Sequence, residues 1–190
     1  IEAYEDGDLR KDASIMYITA SESFWEDGIY PIIKKYVEPH ALNNNHGMNW
    51  PVYRYSEVLL LLAESLEEQN KAGADTYLKE VRDRAGLGDY SGDLGEAIFR
   101  ERRVELAFEG LRYDDLMRWK QGVLLAEPVL GLKFNAEDIA DSNAFVEGTD
   151  IFLDSEGYIM SNNNYVFDET KNYYFPIPVN ELSLNPNLVQ

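Results

Sequence analysis

The sequence predicts a mainly α-helical chain of paired helices, closed by an irregular, loop-rich C-terminal region that contains a short β-hairpin. Three observations carry this. Apolar residues recur at helical spacing from Tyr55 to Phe108, every arginine precedes Lys120, and after Gly122 glycine, proline and asparagine cut the chain into pieces too short for ordinary helices. On those signals the chain divides into a loop-rich opening segment (1–50), a helical core (51–122) and a loop and hairpin wrap (123–190).

The first helix follows Pro51, a residue suited to a helix start. Its stripe is Tyr55, Val58, Leu59, Leu62, Ala63 and Leu66, and Leu60 and Leu61 lie off it, so more than one face should be covered. After the connection Asn70-Lys71-Ala72-Gly73, the second stripe runs through Ala74, Tyr77, Leu78, Val81 and Ala85 and stops at Gly86. So short a connection makes the two helices pack antiparallel, and together they span the length of one tetratricopeptide-type unit. One such pair cannot close a core, so it must stack on other helices. The third helix starts at Asp93, whose carboxylate caps free N–H groups while Glu96 reaches back, and runs to Glu109-Gly110. A fourth covers Leu111 to Gln121 and ends at Gly122. Beyond it, Ile151-Phe152-Leu153, Asp154-Ser155-Glu156-Gly157 and Tyr158-Ile159-Met160 spell strand, turn and strand. Two prolines keep Tyr173-Tyr174-Phe175-Pro176-Ile177-Pro178 out of any central strand, so it should lie extended along a surface or an edge.

Composition removes several functions. With 17 basic and 35 acidic residues the formal charge is −18, which opposes attraction to nucleic acid or to anionic lipid headgroups. The absence of cysteine excludes disulfides, thiolate nucleophiles and cysteine-based metal sites. The longest apolar run, Val58 to Ala63, is far short of the roughly 20 residues of a membrane helix. No basic segment followed by an apolar one opens the chain, so any export signal is expected to have been removed or to lie upstream. Metal and cofactor expectations are correspondingly thin. His40 and His46 sit in an asparagine-rich loop without the spacing of a zinc site. Calcium is the one cation that the acidic turns at Glu5-Asp6-Gly7-Asp8 and Asp150 to Glu156 could hold, although neither fits a helix–loop–helix pattern. Paired carboxylates would allow a glycoside hydrolase, but among 35 acids pairs arise by chance and none stands out in an aromatic surround. Neither a Gly-x-Ser-x-Gly elbow nor a glycine-rich phosphate loop occurs.

The third helix carries an oddity. Its core-facing stripe passes from Leu94, Ala97 and Ile98 to Glu101 and Glu105 before Phe108 restores the apolar face. Like charges at i, i+4 repel, so a packed face tolerates them only with cations close by. Arg100, Arg102, Arg103, Arg112 and Arg118 are the local supply. The expected outcome is a structural Arg–Glu network of Glu101, Arg102, Arg103, Glu105, Arg112 and Arg118 tying the third and fourth helices together; the alternative is a site for an anion or sugar acid.

Pro51 to Leu60, Val81-Arg82-Asp83-Arg84-Ala85-Gly86-Leu87 and the run from Glu101 to Trp119 resemble, in order and spacing, the SusD/RagB family of outer-membrane nutrient-binding lipoproteins. Tyr174 to Leu182 and Leu184 to Leu188 resemble that family's closing segment, and Tyr4 to Asp12 the turn that opens its C-terminal half. The resemblance implies the C-terminal portion of a non-catalytic protein that binds oligosaccharide or another nutrient. It implies a place on the extracellular face of the outer membrane, held by a lipid anchor absent from this chain, beside a SusC-like TonB-dependent transporter. A helical-repeat assembly module is the remaining alternative. Sugar binding needs flat aromatic faces and forked polar groups on loops. Trp25, Tyr30, Asn49 and Trp50 are the candidates on that local chemistry, whereas Trp119, in a family motif on a helix, is expected in the core.

Overall fold

The structure, a computed structural model, describes residues 1, 3–19, 29–38, 47–133, 152–160, 166–185 and 187–188. Its contacts form two units, one comprising Ile1–Ala20 with Ile29–Arg112 and another containing Tyr113–Gln190. This division departs from the three sequence segments: the opening segment joins the helical core, and the helix expected to close that core belongs mostly to the second unit.

In the first unit, α1 (Leu9–Ser14) starts beneath the Asp8 carboxylate, which accepts the Arg10 N–H at 3.0 Å. It leads into an antiparallel ribbon of β1 (Ile15–Thr19) and β2 (Ile29–Ile33), in register from Ile15 opposite Ile33 to Thr19 opposite Ile29. The opening segment is therefore not simply loop. Pro31, which argues against a central strand, is tolerated because both members of a two-stranded ribbon are edges.

Three helices make the core of this unit: α2 (Tyr55–Glu68), α3 (Ala74–Arg84) and α4 (Leu94–Glu105). Leu59, Leu60 and Ala63 of α2 meet Leu78 and Val81 of α3 and Ala97 and Ile98 of α4, with Tyr77, Tyr90 and Leu94 packed against the rim. The buried face of α2 is rotated by about one residue from the predicted stripe. Leu60 is fully buried, while Tyr55, Val58 and Leu62 are exposed. With six apolar residues in succession, Val58 to Ala63, the helix does not choose its own face; α3 and α4 choose it by lying against the Leu59, Leu60 and Ala63 side.

Helix α3 closes as predicted. Gly86 takes a left-handed φ of 77°, and Leu87 N–H returns to the Arg82 carbonyl at 3.0 Å. Leu9 N–H donates to the Ala85 carbonyl at 3.0 Å, so α1 is fastened to this same end. The Asp93 cap is present, accepting the Glu96 N–H at 3.1 Å, but α4 ends at Glu105, four residues early. Phe108 and Gly110 adopt φ of 68° and 83°, turning the chain so that its last carbonyls face cations from other elements. No helix among the described residues is long and apolar enough to cross a membrane.

All of α5 (Arg112–Arg118) but its first residue belongs to the second unit, and the helix is shorter than predicted because Lys120 takes φ 57° and Gln121 N–H folds back to the Leu116 carbonyl at 2.8 Å. A 3-10 turn spans Gly122–Ala126. The strands β3 (Leu130–Lys133), β4 (Phe152–Leu153) and β5 (Tyr158–Met160) form a sheet in the order β3-β5-β4. The predicted hairpin is β4–β5, with Phe152 opposite Met160; its turn is held by Asp154 Oδ1, which accepts the N–H groups of Glu156 and Tyr158, both at 2.9 Å. The Phe175 to Pro178 stretch lies outside regular structure, and α6 (Val179–Leu184) follows it. Trp119, expected in the core, is half-buried just after α5 with the Arg118 guanidinium 4.4 Å from its ring.

Phe167 is buried against Gly122, where an added Cβ would fall 2.1 Å from the Phe167 ring, and Phe167 meets Tyr173 edge to face at 4.9 Å. Gly122→Ala is expected to destabilise this unit by about 1–3 kcal/mol through overpacking, read as a lower melting temperature in a calorimetric scan.

Candidate functional site

The C-terminal end of α4 gathers most of the charge chemistry of the first unit. Glu101 and Glu105 project from one face of α4 and are almost fully buried. Arg10 Nη1 reaches both, at 2.6 Å and 3.1 Å, while Asp8 binds the rest of the same guanidinium at 2.7–2.8 Å. Arg82 Nη1 donates to Glu101 at 2.9 Å and to Glu5 at 2.8 Å. Glu105 also receives Arg54 Nη1 at 2.6 Å and Arg84 Nη2, so three guanidiniums converge on one carboxylate.

The backbone is tied into the same corner. Arg54 Nη2 donates to the Glu105 carbonyl at 2.6 Å. Lys35 Nζ donates to the carbonyls of Glu105 and Ala107 at 2.9 Å and 3.0 Å and to the Glu109 carboxylate at 2.5 Å. Cations on the free carbonyls of a helix C-terminus also complement its dipole, which accounts for α4 stopping here.

The glutamates of the network are those the sequence singled out, but its cations differ. Among the described residues, the ion pairs of Glu101 and Glu105 come from Arg10, Arg54, Arg82 and Arg84. Arg102 is buried on α4, Arg103 is exposed, Arg112 lies over the Phe99 ring at 4.8 Å and Arg118 pairs with Asp115 on its own helix. Arginines on the helix that bears the glutamates, or on the next one along, are near in sequence, yet an inward face is reached by the elements packed against it. The signal that could have found Arg82 and Arg84 is their position on the paired second helix.

Burial and pairing compete differently at the two glutamates. For Glu101 burial dominates and raises the pKa despite Arg10 and Arg82. For Glu105 burial also raises it, but Arg54, Ser56 and Arg10 outweigh that and hold it at about 2. Burial likewise pushes Lys35 down against the pull of Glu109. Two carboxylates of the calcium-like turn, Glu5 and Asp8, are engaged by Arg82 and Arg10. No group of three or more His, Asp or Glu with metal-site geometry occurs among the described residues.

The second feature of this corner is aromatic. Tyr36, next to Lys35, donates its hydroxyl to the Phe108 carbonyl at 2.9 Å. Trp50 stacks on the Tyr36 ring with centroids 4.7 Å apart and planes 23° apart. The indole is still 58% exposed, and Asn49 beside it is exposed too. Of the remaining sugar-binding candidates, Tyr30 belongs to β2, opposite Ile18, instead of a loop, and Trp25 lies outside the described residues, as do His40 and His46.

A family model described as the SusD family matches residues 19–190. SusD-like protein P2 of Formosa agariphila is 36% identical over 110 residues, 48% of this chain and 22% of that protein. SusD-like protein P25 of the same organism is 31% identical over 155 residues, 77% of this chain and 24% of that protein. The solved structure of surface glycan-binding protein A from Bacteroides uniformis aligns over 100% of this chain and 38% of its own, with 26% identity and a TM-score of 0.58. The chain thus spans less than a quarter of the length of the curated relatives it matches.

Glu105→Ala is expected to lower stability at neutral pH by about 3–5 kcal/mol, because it strands the largely buried guanidiniums of Arg10 and Arg54. The folded pKa of Glu105 lies below its ordinary value, so its contribution is present above pH 4.5 and is lost as pH falls toward about 2. Urea unfolding at a series of pH values should therefore show parent and Glu105→Gln converging between those limits; a gap that stays constant down to the lower one would refute the assignment.

Proposed function

The chain belongs to the SusD family, and from that premise we propose that it is a non-catalytic glycan-binding module of a cell-surface protein, which passes oligosaccharide to a TonB-dependent transporter in the outer membrane. The observation that carries the reading is the Tyr36–Trp50 stack. Tyr36 occupies one face of the indole and the Phe108 carbonyl fixes Tyr36, so the exposed part of Trp50 is a rigid apolar platform, and the neighbouring residue Asn49 is exposed too. Such a pairing suits the C–H face and the hydroxyls of a pyranose. The name of the Bacteroides uniformis relative, a surface glycan-binding protein, supports the ligand class. Lipid anchoring and the transporter partnership rest on family membership.

The two buried carboxylates of α4 do not offer a catalytic acid. A general acid needs a raised pKa within reach of substrate. Glu105 is held low, and Glu101, which is raised, is buried beneath Arg10 and Arg82.

Trp50→Ala should leave the melting temperature unchanged and weaken glycan binding roughly tenfold or more, the scale of an aromatic anchor. Affinity electrophoresis against a panel of immobilised polysaccharides, followed by calorimetric titration with the retained one, measures both. Undiminished affinity at Trp50→Ala would remove this platform from the site, and release of reducing ends during incubation would replace the binding module with an enzyme.

A further inference from the structure

A cavity of about 310 Å³ opens over Glu105, walled by Arg10, Lys35, Arg54 and Arg84. Its charges are layered. Glu105, the acid in its lining, is 1% exposed, and Glu109, which pairs with Lys35 and Arg54, is 5% exposed, while the cations are progressively more open: Lys35 21%, Arg54 23% and Arg84 61%. Solvent therefore meets guanidinium and ammonium groups first, although the cluster as a whole is paired. Arg84 holds Glu105 through Nη2, and its other N–H groups, at Nε and Nη1, are donors of the kind that the oxygens of a carboxylate or a sulfate accept. In a chain of net charge −18 this is a local reversal of sign.

The cavity and the aromatic platform share one corner of the fold. Lys35 and Tyr36 are consecutive; Lys35 Nζ holds the Ala107 carbonyl at 3.0 Å and the Tyr36 hydroxyl holds the Phe108 carbonyl at 2.9 Å. Arg54, four residues after Trp50, reaches Glu105 and Glu109. A ring on Trp50 and an anion on Arg84 would thus be held by the same few residues around the end of α4.

We infer that this cavity is an anion subsite and that the glycan taken by this surface is acidic, carrying carboxylate or sulfate groups; the inference rests on the glycan-binding reading above. The net negative charge of the chain opposes such a ligand, so recognition depends on this cationic opening, and binding weakens as salt screens it.

Two experiments on the intact chain test it. In the first, the arginine Nε–H signals are followed by NMR during titration with D-glucuronate and, separately, with D-glucose; the Arg84 signal should move saturably with glucuronate alone. An Arg84 signal unmoved by glucuronate at tens of millimolar overturns the subsite. In the second, affinity electrophoresis compares uronate-bearing, sulfated and neutral polysaccharides for the parent, Arg84→Gln and Trp50→Ala. The parent should be retained about tenfold more strongly by an acidic member than by any neutral one, and Arg84→Gln should lose that preference at parental melting temperature. Should Arg84→Gln melt lower, Arg84→Lys keeps the charge on Glu105 and removes the Nε and Nη1 donors, and it too should lose most of the preference. Equal retention by acidic and neutral members, or a preference that survives both Arg84 variants, overturns the subsite while leaving glycan binding in place. Retention by no polysaccharide overturns both readings.

Discussion

Everything in the first unit is arranged around one buried carboxylate. Glu105 is surrounded by guanidiniums from α1, from the residue preceding α2 and from the end of α3, while its own carbonyl is bound by Arg54 and Lys35. An ion of this kind is expensive to bury, and several charge-assisted hydrogen bonds in a good geometry are needed to offset the cost. Each of those bonds fixes a different element, so satisfying the charge also specifies the packing. The apolar core of Leu60, Leu78, Val81 and Ile98 supplies the burial energy; the carboxylate specifies which ends of the helices must meet.

The same requirement determines where the chain turns. A regular helix through Glu109 would have its last carbonyls bonded within itself or to water. Here α4 stops at Glu105, and Phe108 accepts a left-handed conformation that a bulky residue adopts only when its surroundings demand it. In return the carbonyls of Glu105, Ala107 and Phe108 are taken by Arg54, Lys35 and Tyr36. The rigid pose of the Tyr36–Trp50 stack is thus a consequence of how a helix C-terminus is satisfied, and binding chemistry at Trp50 inherits its rigidity from the scaffold.

Local signals in the sequence were legible where one physical cause dominates. The Asp93 cap, the Gly86 terminus and the Asp154 to Gly157 turn each depend on a single residue type in a fixed position, and each stands where the sequence placed it. The glutamates on α4 were legible too, because a charge on an apolar stripe contradicts the pattern around it. What could not be obtained from spacing was the identity of their partners. Arg10 lies 91 residues from Glu101 in the chain, and nothing local connects them. The β1–β2 ribbon escaped for a different reason: Pro31 and a long polar connection mask a pairing whose only local sign is a pair of isoleucine-rich runs.

The rotation of α2 shows how the two kinds of information combine. Six consecutive apolar residues from Val58 to Ala63 leave periodicity nearly silent about which side is inward. Arg54, immediately before the helix, is not silent: its bonds to Glu105 and Glu109 fix the helix entrance against the end of α4. With that end pinned, the turns that follow present Ser56, Leu59, Leu60 and Ala63 to α3 and α4, while Tyr55 and Val58 fall outside. A polar contact at the boundary of the helix therefore joins the packing of α3 and α4 in orienting an apolar face that periodicity left undetermined, and the ion network and the hydrophobic core act on the same register.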